Sequence, residues 1–282
     1  MPSGVGRLVA ALFATAAVSA GCGSTPESAE PAPHLAARVL QSRLDQSIGS
    51  IRVQITNEGA EPVHVDDLVL HAPPFPDTAS EDDSVIRPER RIDFRADYRE
   101  PTCSGATPTP APATAEVVVD GRRVQVDVED SQDVLRRLLA LHCSRQRLAE
   151  VVTVSLGRSW TPEPAGDALL GTVELHRVGS GPAVTLERLS GSVSYGVEPV
   201  RPAQPVATLA AGEDTVSVPV RARAKRCEPH ARAEDKKKYD FPMWFGLAGA
   251  QEAINVELHA DLGLRTALEL LCDALVDSGV ES

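Results

Sequence analysis

The chain has 282 residues, 42% of them hydrophobic but only 4% aromatic, and carries a formal net charge of −12. That length suits one large domain or two ordinary ones, with a core built mainly from Ala, Val and Leu. The acidic balance excludes a nucleic-acid binder, which needs basic patches for phosphate, and equally excludes electrostatic attachment to an anionic leaflet.

The first residues read as an export signal. Arg7 and the terminal amine give a positive start, Leu8 to Ala20 is uncharged and rich in Ala, Leu and Val, and the small residues Ser19, Ala20 and Gly21 precede Cys22. A membrane-spanning helix needs ~20 apolar residues to cross the hydrocarbon, so this run is too short to span. Ser19-Ala20-Gly21-Cys22 resembles the lipobox of bacterial lipoproteins, in which the cysteine thiol takes a diacylglyceryl group before the leader is removed. The family pattern places Leu, Val or Ile three residues before the cysteine; here Ser19 holds that place and Val18 stands one step earlier.

The resemblance covers the leader alone. It implies a signal peptide over residues 1–21, a lipidated N-terminus at Cys22, an extracytoplasmic location and the membrane as a partner through acyl chains. Residues 22–33 then read as a tether. They offer no apolar side chain larger than Ala or Pro, and the stretch after Cys22 reaches up to ~36 Å when extended.

Downstream, period-two patterns predict strands. Ile51, Val53 and Ile55 alternate with polar residues, Asn57-Glu58-Gly59 breaks the run, and Val63 to Leu70 resumes it. Leu35 to Leu44 fits helix or strand, whereas Val151 to Leu156 is strand-like. Val117–Val119, Asp120-Gly121 and then Val124, Val126 and Val128 spell a hairpin, since Asp-Gly tolerates the positive φ of a tight turn. The period then changes. Leu135, Leu138, Leu139 and His142 fall at helical spacing, as do Leu264, Ala267, Leu268 and Leu271, with Ser131 and Asp261 as expected N-caps.

These features recur in order. Gly49 to Ile55 matches Gly171 to Val178, with Gly/Pro turns and further strands behind both; Ile92, Phe94, Ala96 and Tyr98 approach Cys103 as Val216, Val218, Val220 and Ala222 approach Cys227. Leu135–Cys143 and Leu264–Cys272 share five of nine residues. The expected fold is mainly β: two similar β-sandwich modules of roughly immunoglobulin-like type, residues 34–146 and 147–282, each with six or seven strands and a short C-terminal α-helix. The modules follow each other with almost no linker and should share an interface.

Four cysteines besides Cys22 allow three connectivities, and spacing alone does not choose among them. The repeat does: one cysteine after a central strand and one at the end of the last helix of each unit point to Cys103–Cys143 and Cys227–Cys272.

Standard catalytic motifs are absent from the sequence: it contains no Gly-x-Ser-x-Gly, no Walker loop, no Gly-x-Gly-x-x-Gly and no His-Glu-x-x-His. No catalytic residue, cofactor or metal is assigned. The segment 227–245 stands out, because it holds His230, Glu234, Asp235, Asp240, three consecutive lysines, Phe241 and Trp244, whereas the matching loop Ser104 to Ala115 is Ala/Pro/Thr filler. His230, Glu234, Asp235 and Trp244 are therefore the candidate binding residues. The bland reading of this segment is a solvated turn leading into a strand whose Phe241 and Trp244 fill the core. His64 and His71 read as packing or surface residues. These features suggest a non-catalytic, lipid-anchored envelope protein that binds a protein or a small ligand. The alternatives are a structural envelope spacer and a metal- or carboxylate-dependent enzyme using 227–245.

Overall fold

A computed structural model describes residues 33–80, 82–104, 109–164, 166–248, 250 and 252–279. The leader, Cys22 and all but the last residue of the tether lie outside the described residues. The fold is mainly β, with layered sheets in the manner of a β-sandwich.

The ambiguous segment near residue 40 contains both elements. β1 (Leu35–Leu40) is followed by α1 (Arg43–Ile48), which starts at a reciprocal cap: Ser42 Oγ accepts from the Asp45 amide and the Asp45 carboxylate accepts from the Ser42 amide. Gly49, at φ 70°, ends the helix in the left-handed region, which a residue without Cβ enters at little cost. β2 (Ser50–Asn57), β3 (Val63–His71), β4 (Thr78–Ser80), β5 (Ser84–Ile86), β6 (Arg91–Asp97), β7 (Ala113–Val119) and β8 (Arg122–Glu129) complete an eight-stranded sheet. Its path is β4-β3-β7-β8-β1-β2-β6, with β5 also paired to β3. The β7–β8 hairpin turns on Asp120 and Gly121, both at positive φ, as the Asp-Gly pair predicts. The Gly121 amide also donates to Asp66 Oδ2 at 3.0 Å, tying the turn to β3.

α2 (Val134–Ala149) follows. Ser131 is not its N-cap. Asp133 holds that place in the left-handed region, and the Asp130 carboxylate accepts from the amides of Val134 (2.6 Å) and Leu135 (3.0 Å). An acid four residues ahead therefore satisfies the helix start that a local serine was expected to cap.

The chain continues through β9 (Val152–Leu156), β10 (Thr161–Pro162), β11 (Ala168–Arg177), β12 (Val184–Leu189), β13 (Tyr195–Pro199), β14 (Ala207–Leu209), β15 (Thr215–Ala224), α3 (Pro229–Glu234), β16 (Asp240–Leu247), β17 (Ile254–His259) and α4 (Leu262–Asp277). Two sheets result: β10-β11-β15-β13 with β9 also on β11, and β14-β12-β16-β17. Asp261 is the N-cap of α4 as expected, its carboxylate accepting from the Leu264 amide at 2.8 Å.

The pairing order β1-β2-β6 and β5-β3-β7-β8 recurs as β9-β11-β15 and β14-β12-β16-β17. Even an irregularity recurs, since the ladders of β3 with β7 and of β12 with β16 each shift register by one residue, at Asp66 and at Glu187. The described strands before and after Glu150 number eight and nine, more than the six or seven expected, because short pairs such as Thr78–Ser80 and Thr161–Pro162 carry no periodic signal. One register differs from the sequence match. Ile51 faces Ala96 whereas Val173 faces Val218, so aligning the cysteines sets Ile51 against Gly171, two residues from the expected partner. An even shift keeps every side chain on its own face.

Residues 33–282 form one compact unit with two hydrophobic clusters, one gathering Val53, Phe94, Val117 and Leu139, the other Leu175, Leu186, Phe245 and Leu268. α2 serves both. It runs past the division expected between residues 146 and 147; its Leu135, Leu138, Leu139 and Cys143 pack in the first cluster and its Leu148 in the second. Arg145 donates to the Asn255 carbonyl at 2.7 Å and to Asn255 Oδ1 at 3.2 Å, fastening the helix to β17. The disulfides are Cys103–Cys143 and Cys227–Cys272, with Cα atoms 5.4 and 5.1 Å apart. Each joins a long helix to the loop that follows β6 or β15.

Candidate functional site

The 227–245 segment starts at the Cys227 disulfide and turns at once into α3, with Pro229 in its first turn. Helical spacing sends its side chains two ways. His230 and Glu234 share the outer face at 3.3 Å, with side chains 86% and 70% exposed. Arg232 points inward to α4, bonding Glu269 at 2.6 Å and Asp273 at 3.2 Å. Glu269 also takes Lys238 Nζ at 2.9 Å and the Tyr239 hydroxyl. Burial pushes the Glu269 carboxyl up, but the Tyr239 and Lys238 hydrogen bonds and the neighbouring cations outweigh it and hold the group below its ordinary range. Tyr239 stacks on Tyr195, whose phenol is pushed well above its normal value by burial and then by the Glu269 charge.

Asp235 turns away from His230 and Glu234. Its carboxylate accepts from the Ser194 amide at 2.9 Å and the Lys237 amide at 3.3 Å. Trp244 lies on β16, and its orientation corrects the expectation that it fills the core with Phe241. Residues three apart on a strand face opposite sides. Phe241, Met243 and Phe245 are fully buried, while Trp244 is on the outer face with the Arg188 guanidinium 3.6 Å above its ring. The four candidate residues are thus spread over the exposed side of α3, a backbone clamp and a different strand. Of the segment's charged side chains, Arg232 and Lys238 brace α4, while Lys237 and Asp240 pair with Glu257 and His259 of β17. Among the described residues, no group of three or more His, Cys, Asp or Glu is gathered for a metal ion.

A second region carries no sequence signal. On the outer side of β9 and β11, the loop 157–159 curls over the sheet and bounds an open trough of about 640 Å³ lined by Ser155, Arg158, Ser159, Thr172, Glu174 and His176. Gly157 makes the curl feasible: its amide donates to the Thr172 carbonyl at 2.8 Å, and a Cβ there would sit 2.2 Å from Thr172 Oγ1. His176 Nδ1 lies 3.1 Å from Thr215 Oγ1 and His176 Nε2 lies 3.2 Å from Glu174 Oε2, while the Thr172 hydroxyl donates to Glu174 Oε1 at 3.4 Å. An ionised Glu174 can only accept, so His176 Nε2 donates to it, while the Thr215 hydroxyl can donate to or accept from Nδ1.

His64 has a carboxylate at each ring nitrogen: Asp83 Oδ1 lies 2.5 Å from Nε2 and Asp66 Oδ1 lies 3.2 Å from Nδ1. The hydrogen bond to Asp83 raises its pKa above the ordinary histidine value, helped by the charges of Asp83, Asp66 and Asp120. Because the folded value exceeds the unfolded one, the stabilisation is complete below about pH 6.5 and disappears as pH rises through the folded pKa. An NMR titration is expected to place the His64 midpoint above about 6.5 and to lower it in Asp83→Asn, which removes the largest raising contact but leaves Asp66 and Asp120; a wild-type midpoint at or below about 6.5 contradicts the geometry.

No protein-family model matches the chain, and no curated protein matches it. Among solved structures, it is similar to a red sea bream transglutaminase at 10% identity and TM-score 0.25, over 82% of this chain but 32% of that one. It is also similar to a protein of unknown function from Porphyromonas gingivalis W83, at 15% identity and TM-score 0.21 over 75% of this chain and 90% of that one. The YadV chaperone gives 11% identity and TM-score 0.20 over 76% and 94% of the two chains. Likenesses this remote carry no argument about this chain's fold or activity.

Proposed function

We propose that this chain is a lipid-anchored, extracytoplasmic binding protein without catalytic activity, built from two copies of one disulfide-stapled β-sandwich module, each ending in a helix. The observation that carries the reading is the cysteine pairing. Four of the five cysteines join within their own half of the chain, which leaves Cys22, at the lipobox-like sequence, for the lipid. Disulfides that close long loops form and persist in oxidising compartments, which supports export. The repeated ladder order and the repeated bulge at Asp66 and Glu187 support duplication of one module. Among the described residues no helix is long and apolar enough to cross a membrane; the reading assigns attachment to acyl chains on Cys22.

The test is fractionation of bacteria producing the wild-type chain and Cys22→Ala, with the mass of the N-terminal peptide. Wild type is expected in the membrane fraction with a diacylglyceryl mass on Cys22, and the variant is expected to leave that fraction. An unmodified Cys22, or a variant that stays in the membrane, overturns the anchoring.

A further inference from the structure

The trough on β9 and β11 has a counterpart position in the first half, and there it is filled. In the first half, a row runs across β1, β2 and β6 through Arg38, Gln54 and Asp93. Its side chains complete one another: Arg38 Nε donates to Gln54 Oε1 at 2.8 Å, and Gln54 Nε2 donates to Asp93 Oδ1 at 2.5 Å. α1 lies beside this row, its buried Asp45 taking the Arg52 guanidinium at 3.1 Å. The corresponding row in the second half runs across β9, β11 and β15 through Ser155, Glu174 and Ser217, where Ser217 precedes Cys227 by the same interval that separates Asp93 from Cys103. No helix stands between β9 and β11. The two serine hydroxyls are too short to reach along the row, and among the described residues neither has a protein partner. The same scaffold position is therefore saturated in one half and open to solvent in the other.

What the open position displays is specific. Glu174 has its inner contacts taken by His176 and Thr172, which orients the carboxylate and leaves acceptor capacity toward the trough. Around it stand donors with rotating or forked geometry, namely the hydroxyls of Ser155 and Ser159 and the exposed Arg158 guanidinium. One carboxylate and one guanidinium cancel in formal charge, so neither a cation nor an anion is selected. Beyond Leu156 the lining offers no large apolar side chain, and the ring nitrogens of His176 are engaged by Glu174 and Thr215, which disfavours lipids and apolar peptides. A neutral ligand dense in hydroxyls fits: two adjacent sugar hydroxyls donate to one carboxylate, while sugar oxygens accept from serine and arginine. The trough is open rather than enclosed, which suits a chain passing across it.

We infer that the β9–β11 trough is a binding site for a neutral oligosaccharide, with Glu174 as the carboxylate that receives a vicinal diol. The inference rests on the reading of this chain as an envelope binding protein and names its ligand class. The test is calorimetry and saturation-transfer NMR on the oxidised full chain in a detergent without sugar headgroups, titrated with glucan, mannan, arabinan and chitin oligomers. Saturable binding of at least one oligomer is expected. Glu174→Gln is expected to weaken it about tenfold or more, since a charged acceptor is lost.

The triple change Ser155→Arg, Glu174→Gln, Ser217→Asp writes the first half's row into the second, and is expected to abolish binding while the thermal midpoint stays close to that of wild type. Absence of saturable binding with every oligomer overturns the inference, as does unaltered affinity in the folded triple variant. Membrane release of Cys22→Ala is a separate readout, so a trough that binds no sugar leaves the anchoring reading standing.

Discussion

Cys227→Ala with Cys272→Ala is expected to lower the stability of the oxidised protein by about 4 kcal/mol, the chain-entropy value for a loop of this length. The bond closes 45 residues, and Cys272 is fully buried on the inner face of α4. Without it, α4 keeps the Arg232, Lys238 and Tyr239 bonds to Glu269 but loses the covalent limit on its unfolded ensemble. Both tryptophans, Trp160 and Trp244, belong to the second half, so fluorescence follows that half alone. Denaturant titration of the double variant should move the tryptophan transition strongly. The matching pair, Cys103→Ala with Cys143→Ala, opens a 40-residue loop and should act mainly on the first half, read from near-ultraviolet signals of Tyr98. Equal displacement of the tryptophan transition by both pairs would contradict the assignment of each bond to its own half.

Leu148→Ala tests the junction. This side chain belongs to the helix whose other buried residues pack in the first cluster, yet it is buried in the second. Truncating a buried leucine costs about 2–5 kcal/mol, depending on how far the neighbours close in. The loss should appear in the tryptophan transition although Leu148 precedes every strand of that half. Differential exchange or calorimetry should then resolve two transitions that are closer together in wild type. A tryptophan transition that does not move would show that the second core does not depend on α2.

Features resting on local chemistry were legible in the sequence. Asp120-Gly121 carries its turn geometry in its composition, Asp261 caps the helix that it immediately precedes, and the helical spacing of Leu264, Leu268 and Leu271 matches the residues buried under α4. The cysteine pairing was legible because the chain states it twice. What stayed hidden depends on backbone geometry and on partners that residue type alone does not name. Ser131 has the residue type of a cap, but the Asp130 carboxylate takes the two amides at the helix start. Trp244 looked like core because large aromatics usually are, although its three-residue interval from Phe241 places it on the other face. Of the sequence cluster, His230 and Glu234 stay together on the exposed face of α3, whereas Asp235 turns to the Ser194 and Lys237 amides.

The trough was least visible of all. Ser155, Glu174 and Ser217 meet only through strand register, and none is unusual by itself. The one available signal was a comparison of outward positions between the two halves, where Arg38 and Asp93 give way to serines and Gln54 to a charged glutamate.

In the first half, Ala37 and Arg38 of β1 pair in parallel with Val128 and Glu129 of β8, so β1-β2-β6 and β4-β3-β7-β8 run on as one sheet. Among the described residues no such ladder joins β9 to β17, and α2 packs against both instead. The amino-terminal half thus finishes its own wall, while the carboxyl-terminal half borrows a door from its predecessor. Ribosomes deliver these halves in the order that makes the loan workable: the lender emerges first, and a circular permutant that reversed them would leave the borrower's strand rims bare during its birth.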